Sequence, residues 1–172
     1  GNIAHVISLV CPVALYLKNK GFKVKIVVRK NASRFSRELY RLLDLPFICT
    51  DKAVVGNILT TEQTTIEHWD MWRVGCYGMY LDQVAFEGYQ SDTPEKLFIS
   101  RKGSRTLTNE AEIESQLIHR GFTKVYFEAL SVAQQWSLCR NAKAVVAIHG
   151  AAIANLAFNP HQVKLVELLH PG

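Results

Sequence analysis

The hydrophobic positions of this chain fall into two rhythms that take turns: helical spacing, and short unbroken apolar runs. From Ile3 to Lys20, the residues Val6, Leu9, Val10, Val13, Ala14 and Leu17 recur at helical spacing, and Asn19-Lys20-Gly21 forms a C-terminal stop. The run KVKIVV at 23–28 predicts a strand. Asn31-Ala32-Ser33 predicts the cap of a helix over 34–43, with Phe35, Leu39, Leu42 and Leu43 on one face. Pro46 breaks that helix, and Phe47-Ile48-Cys49 predicts a short strand. Helix, strand, helix, strand is half of a wound α/β sheet.

From Asp51 to Gly88 the pattern weakens. Val54-Val55, 57–60 and 64–67 predict short strands, while Trp69, Trp72, Tyr77, Tyr80 and Phe86 supply bulk to a core or a cleft. The segment GYQSDTPEK at 88–96 has turn residues and no apolar period, so it predicts a linker dividing the chain into 1–90 and 91–172. Beyond it the rhythm is regular. Leu97-Phe98-Ile99 is a strand, 108–120 a helix closed by Gly121, 123–127 a strand, and 131–140 a helix with Ser131 and Gln134 placed for a capping box. Ala144-Val145-Val146-Ala147-Ile148 is a buried parallel strand, 151–158 a small-residue segment that is helical or tightly packed, and 163–169 a closing strand. This is the succession of a doubly wound parallel sheet.

Ligands in such sheets bind beyond the carboxyl ends of the strands, where helix N-termini present free N–H groups. Three loops meet that description. Ser100, Arg101 and Arg105 follow one strand, and two guanidiniums suit a diphosphate. Glu128-Ala129-Leu130-Ser131 turns into the second helix. His149-Gly150, with Asn155 one turn further, follows the apolar strand, and the imidazole adds a group that can donate to an anion or exchange a proton.

Composition narrows the partners. With 172 residues and 48% apolar content the chain can build a real core. Its net charge is +5, with basic residues scattered through Lys18 to Arg41 and Arg101 to Arg105. No tract is long or pure enough to argue for nucleic acid over a phosphorylated small ligand, and a solvated basic face accounts for most of Lys18 to Arg41. Cys11, Cys49, Cys76 and Cys139 lie far apart without zinc spacing, which points to buried free thiols and to no metal site. No apolar run approaches the roughly 20 residues of a membrane span. The chain enters patterned sequence at once after Gly1-Asn2, which points to further residues upstream.

These residues resemble a known family. LFISRKGSRTLTNEAEI, then Gly121-Phe122, then EALSVAQQWSLCRNAKAVVAIHGAAIANLAFNPHQVKLVEL, are similar to the C-terminal half of glycosyltransferase family 61. Its members include protein O-linked N-acetylglucosaminyltransferases, plant xylan xylosyl- and arabinosyltransferases, and bacterial relatives tied to capsular polysaccharide biosynthesis. The family pattern is an SR…R…NE block, an LSFxEQ helix start, an HGAGL-x-N turn and a closing VEL strand. Asn2-x-x-His5 with Pro12 is a weaker echo of its N-terminal helix. Two positions depart from the pattern: HGAGL reads His149-Gly150-Ala151-Ala152-Ile153, and Gln134 stands where the family has an acid.

The resemblance implies a GT-B architecture of two Rossmann-like halves, the first (1–90) small and on the acceptor side, the second (91–172) binding the donor. It implies inverting transfer from a nucleotide sugar, usually a UDP-sugar, to a saccharide or protein hydroxyl, with no metal or other cofactor. By position, Arg101 and Arg105 would hold the diphosphate with Asn109 nearby. Ser131, His149, Gly150 and Asn155 would line the donor pocket, and Glu167 would orient the His149 turn. Inverting transfer needs a general base; His5 is the candidate, with Asp70, Asp82 and Glu87 behind it. The expected compartment is cytoplasmic for an intact bacterial-type protein and the ER or Golgi lumen for part of a eukaryotic one. The alternative is a non-catalytic nucleotide or sugar-phosphate binding domain of the same fold.

Overall fold

The computed structural model describes residues 3–57, 81, 84–103 and 106–169. Arg105, Asp70, Asp82, Cys76 and the segment 64–67 lie outside them. The chain opens with three abutting helical pieces, α1 (Ile3–His5), a π-helical turn (Val6–Val10) and α2 (Cys11–Asn19). The π turn has a covalent cause. Pro12 stands at the start of α2 without an N–H to donate, and the Cys11 N–H reaches back five residues to the Val6 carbonyl. Gly21, at φ 81°, closes α2: its N–H donates to Lys18 O at 2.9 Å and the Phe22 N–H to Leu17 O at 3.0 Å.

The strand predicted over 23–28 is shorter, β1 (Ile26–Val28), and pairs in parallel with β2 (Phe47–Cys49) across α3 (Arg34–Leu42). Ser33 caps α3, its hydroxyl accepting the Ser36 N–H at 3.1 Å. Val54-Val55 forms no strand: both residues are exposed, Val55 at 98%, and among the described residues no strand pairs with them.

The second part is a four-stranded, all-parallel sheet in the order β4 (Thr123–Tyr126), β3 (Lys96–Ser100), β5 (Ala144–Ile148), β6 (Lys164–Leu168). Alternation explains its burial. Leu97, Ile99, Val145 and Ala147 face one layer with Leu138 and Cys139 of α5 (Val132–Asn141). Phe98, Val146 and Ile148 face the other, against Ile113 and Leu117 of α4 (Glu110–His119). One helix on each face makes this a Rossmann-like α/β fold with parallel sheets of two and four strands. The connection between β5 and β6 is a 3₁₀ helix, Ala151–Phe158, rather than an α-helix.

The largest apolar cluster crosses the boundary expected near residue 90. Ile7, Cys11, Leu39, Tyr40 and Leu81 share it with Val132, Trp136 and Phe158. Trp136 stacks on Phe158 at 3.8 Å between ring centroids and meets Phe86 edge-on at 5.3 Å. Arg140 donates to the carbonyls of Leu81 at 3.0 Å and Val84 at 2.6 Å. Asn141 donates to Gln90 O and to Thr93 Oγ1, each at 2.9 Å, so the stretch read as a linker is fastened to α5. Cys11, Cys49 and Cys139 are free thiols, and burial pushes those of Cys11 and Cys139 far above the ordinary thiol range. Among the described residues no helix is long and apolar enough to cross a membrane.

Candidate active site

Strand order reverses between β3 and β5: the chain leaves β3 for β4 on one side and then returns to place β5 on the other. The crevice above their carboxyl ends is where an open parallel sheet takes a ligand. Residue 101 leaves β3 there and residues 149–150 leave β5. The Arg101 guanidinium crosses the crevice and donates from Nη1 to the His149 carbonyl at 2.9 Å. That contact dictates Gly150. Its backbone is extended at φ 165° and would accept any residue, but a Cβ there would stand 2.5 Å from Arg101 Nη1 and 3.2 Å from Cζ. Four further N–H groups of the guanidinium remain for a ligand.

His149 is fixed from both ends. Its N–H donates to Leu168 O at 2.9 Å, extending the β5–β6 ladder, and its ring Nδ1 lies 2.6 Å from Glu167 Oε1. The parallel register pairs Glu167 with Ala147, two residues before His149 and so on the same face, which delivers the carboxylate to the ring. A carboxylate on Nδ1 selects the tautomer that leaves Nε2 free to accept, and the ring stays half-exposed.

Below Arg101 a cavity of about 160 Å³ is lined by Arg101, Glu128, Gln135, Gly150, Ala151 and Ala152, with Phe127 and Ile148 beneath and Ile3 and Phe35 across it. Among the described residues its charged lining groups are Arg101 and Glu128, and no ion pair joins them. Sequence reasoning read the Glu128 turn as a crevice loop without giving that side chain a task. Its signal was position: the second residue beyond β4, on the strand beside the reversal.

Several expected site residues have other employment. Asn155 is fully buried. Its Oδ1 accepts the Trp136 indole N–H at 3.1 Å, and its Nδ2 donates to Gln135 Oε1 at 3.1 Å and Ala152 O at 3.0 Å. It does not line the cavity itself and touches its wall through Gln135 and Ala152. Ser131 completes the predicted capping box, its hydroxyl accepting the Gln134 N–H at 3.2 Å while Gln134 Oε1 accepts the Ser131 N–H at 2.9 Å. The next N–H of α5, that of Val132, donates to Glu38 Oε1 of α3 at 2.9 Å. The end of α5 is thus already occupied by a carboxylate of this chain, the charge its dipole favours. Ser100 is buried with its hydroxyl donating to Glu110 Oε1 at 2.5 Å. Glu110 in turn pairs with Lys124 at 2.8 Å and Lys124 with Glu114 at 2.6 Å, a chain of charges that fixes α4 to the sheet beside the Arg101 loop.

Asn109 is exposed at the start of α4 and makes no side-chain cap. His5 is exposed on α1 and is not among the lining residues, although Ile3 is. Glu87 is exposed in a turn. Of the expected residues, Arg101 and Gly150 line the cavity; His149 and Glu167 join them at the strand ends through the Arg101 contact to the His149 carbonyl, and Asn109, Ser131, Asn155 and His5 are not in the wall.

The family model described as Glycosyltransferase 61 matches residues 7–166. The chain belongs to glycosyltransferase family 61. As a member it is a glycosyltransferase, acting between a sugar donor and an acceptor. No curated protein matches the chain. In this glycosyltransferase Gly150, Ala151 and Ala152 form one wall of the cavity, and the Arg101 guanidinium lies against Gly150.

Proposed function

We propose that the crevice between β3 and β5 binds the diphosphate of a nucleotide sugar, a UDP-sugar by the family resemblance, and that transfer proceeds with inversion and without a metal. The observation that carries this is Arg101 laid across the His149 carbonyl, against a Gly150 that has no room for a side chain. A guanidinium held in a fixed plane presents parallel N–H donors to two phosphate oxygens and neutralises the charge that develops as the diphosphate leaves. His149 Nε2, kept free by Glu167 on Nδ1, can accept from a donor hydroxyl or, protonated, donate to the same phosphates. At about 160 Å³ the cavity admits one moiety of the donor, the rest lying along the open strand ends.

Glu128 is the group best placed to act as base. It shares the cavity with Arg101 without pairing to it, so cation and carboxylate can serve opposite ends of one displacement. The acceptor hydroxyl gives its proton to the carboxylate as its oxygen bonds to the anomeric carbon. The bond from that carbon to the diphosphate oxygen breaks, and the nucleoside diphosphate departs with the electron pair. His5, exposed outside the wall, cedes this role in our reading.

Calorimetry of UDP with Arg101→Ala and Glu128→Gln, alongside transfer kinetics, tests the assignment. Arg101→Ala is expected to remove UDP binding. Glu128→Gln is expected to keep it and to lower kcat by about 10²- to 10⁴-fold. UDP affinity unchanged in Arg101→Ala sinks the diphosphate assignment, and undiminished kcat in Glu128→Gln sinks the base.

A further inference from the structure

A second crevice, of about 600 Å³, opens at the carboxyl ends of the small parallel sheet, lined by Arg29, Lys30 and Asn31 after β1 and by Thr50, Asp51 and Lys52 after β2. Its volume falls within the roughly 300–1,000 Å³ of small-molecule sites. Its position is again the one where parallel strands take ligands. The walls are built: the Lys30 N–H donates to Asp51 Oδ1 at 3.1 Å, the Thr50 N–H to Val28 O at 2.9 Å, and the Lys52 N–H to Thr50 Oγ1 at 3.0 Å.

The charge is one-sided. Three lysines elsewhere in the fold pair with carboxylates: Lys18 with Asp44, Lys124 with Glu110 and Glu114, and Lys143 with Glu95. Among the described residues no carboxylate pairs with the side chains of Arg29, Lys30 or Lys52, and Asp51, the one acid of the crevice, turns an oxygen to a backbone N–H. The crevice also adjoins the donor cavity. Asn31 lines the first and Phe35 the second, four residues apart across the capped start of α3, at most about 14 Å of chain.

We propose that this crevice is an acceptor subsite for an anionic saccharide, its three cations receiving a carboxylate or phosphate carried by the acceptor glycan while the reacting hydroxyl reaches toward the donor cavity. The proposal rests on the donor reading above for its direction, and its test is independent of that reading. The charge-removing variant Arg29→Gln/Lys30→Gln/Lys52→Gln alters only exposed side chains, and its melting temperature verifies folding. Calorimetry is run on wild type and variant with a trisaccharide of uronic acids, a phosphorylated trisaccharide, a neutral trisaccharide, and UDP.

Wild type is expected to bind one or both acidic trisaccharides roughly tenfold more tightly than the neutral one, with the margin shrinking at high salt. The variant is expected to lose that margin and keep its UDP affinity. Which acidic probe binds identifies the charge carried. Equal binding of the neutral probe, an undiminished margin in the variant, or competition between UDP and the acidic saccharide for the crevice overturns the proposal. Absence of UDP binding to wild type overturns the donor reading instead and leaves the saccharide comparison standing.

Discussion

Replacing Gly150 by alanine separates folding from donor recognition in one atom. The extended backbone at φ 165° carries no conformational penalty for alanine, so the whole effect arises where the new Cβ stands 2.5 Å from Arg101 Nη1. A contact of about 3.5 Å is the normal separation, so the guanidinium must withdraw by about 1 Å. It is the far end of a flexible side chain and can do so, but it then gives up the 2.9 Å bond to the His149 carbonyl. Losing that partly exposed bond costs about 0.5–1.5 kcal/mol, and about 1 kcal/mol moves the melting temperature of a chain this size by roughly 2–4 °C. Donor binding suffers more. A charge-assisted bond to phosphate contributes about 1.5–3 kcal/mol, so UDP affinity should fall by about 10- to 150-fold. The assay is calorimetry with UDP on Gly150→Ala, Arg101→Ala and the double variant, with melting curves on each. Because the alanine acts through the guanidinium, it should do nothing further once Arg101 is gone. A melting temperature lowered by more than about 8 °C, or an equal loss of affinity in both backgrounds, refutes the mechanism.

Two other perturbations read parts of the site that touch no ligand. Asn155→Ala strips the buried Trp136 indole and Gln135 of their partners; leaving two buried groups unsatisfied costs about 2–6 kcal/mol, which a denaturant titration reads, and a variant as stable as wild type contradicts the reading of Asn155 as a structural hub. The Glu110 network gives a pH signature. Burial pushes the Glu110 carboxyl up, but hydrogen bonds from Lys124 and Ser100 outweigh it and hold the group below its ordinary 4.5. Its contribution is therefore fully present above that value and is lost as pH falls through the lowered one. Burial acts to lower Lys124, yet its bonds to Glu110 and Glu114 raise it above its ordinary 10.5, so that contribution is present below 10.5 and is lost as pH rises through the raised value. Stability differences between wild type and Glu110→Gln should be constant near neutrality and vanish in acid; a difference that persists to the acid limit counts against the pairing.

The two central strands of the larger sheet were legible because burial on both faces leaves unbroken apolar runs, as in Leu97–Ile99 and Ala144–Ile148. Helix ends were legible where chemistry is local: at Gly121, with φ 81°, the Gly121 and Phe122 N–H groups donate back to Ile118 O and Leu117 O, and the Ser131–Gln134 box spans three residues. The crevice followed from strand order, which the sequence implied through the alternation of elements. What stayed hidden depends on side chains arriving from far along the chain. Nothing near Ser131 announces that Glu38, 94 residues before Val132, fills the end of α5. Nothing in the motif around Asn155 says that its amide turns inward to Trp136 rather than outward to a ligand. The π turn before Pro12 escaped a reading by spacing because one inserted residue shifts the helical face without changing which residues are apolar.

The core that joins Ile7, Leu39 and Leu81 to Trp136 and Phe158 bears on how this protein can change over time. Two units with separate interiors can be exchanged, duplicated or lost one at a time. Here the helix that carries the Ser131 cap spends its other face on residues from the opposite end of the chain, and Arg140 closes the seam. Among the described residues the two sheets share one apolar cluster, so excising or swapping either one opens the interior of the other. Residues at the strand ends can change separately, while the scaffold that presents them is inherited whole.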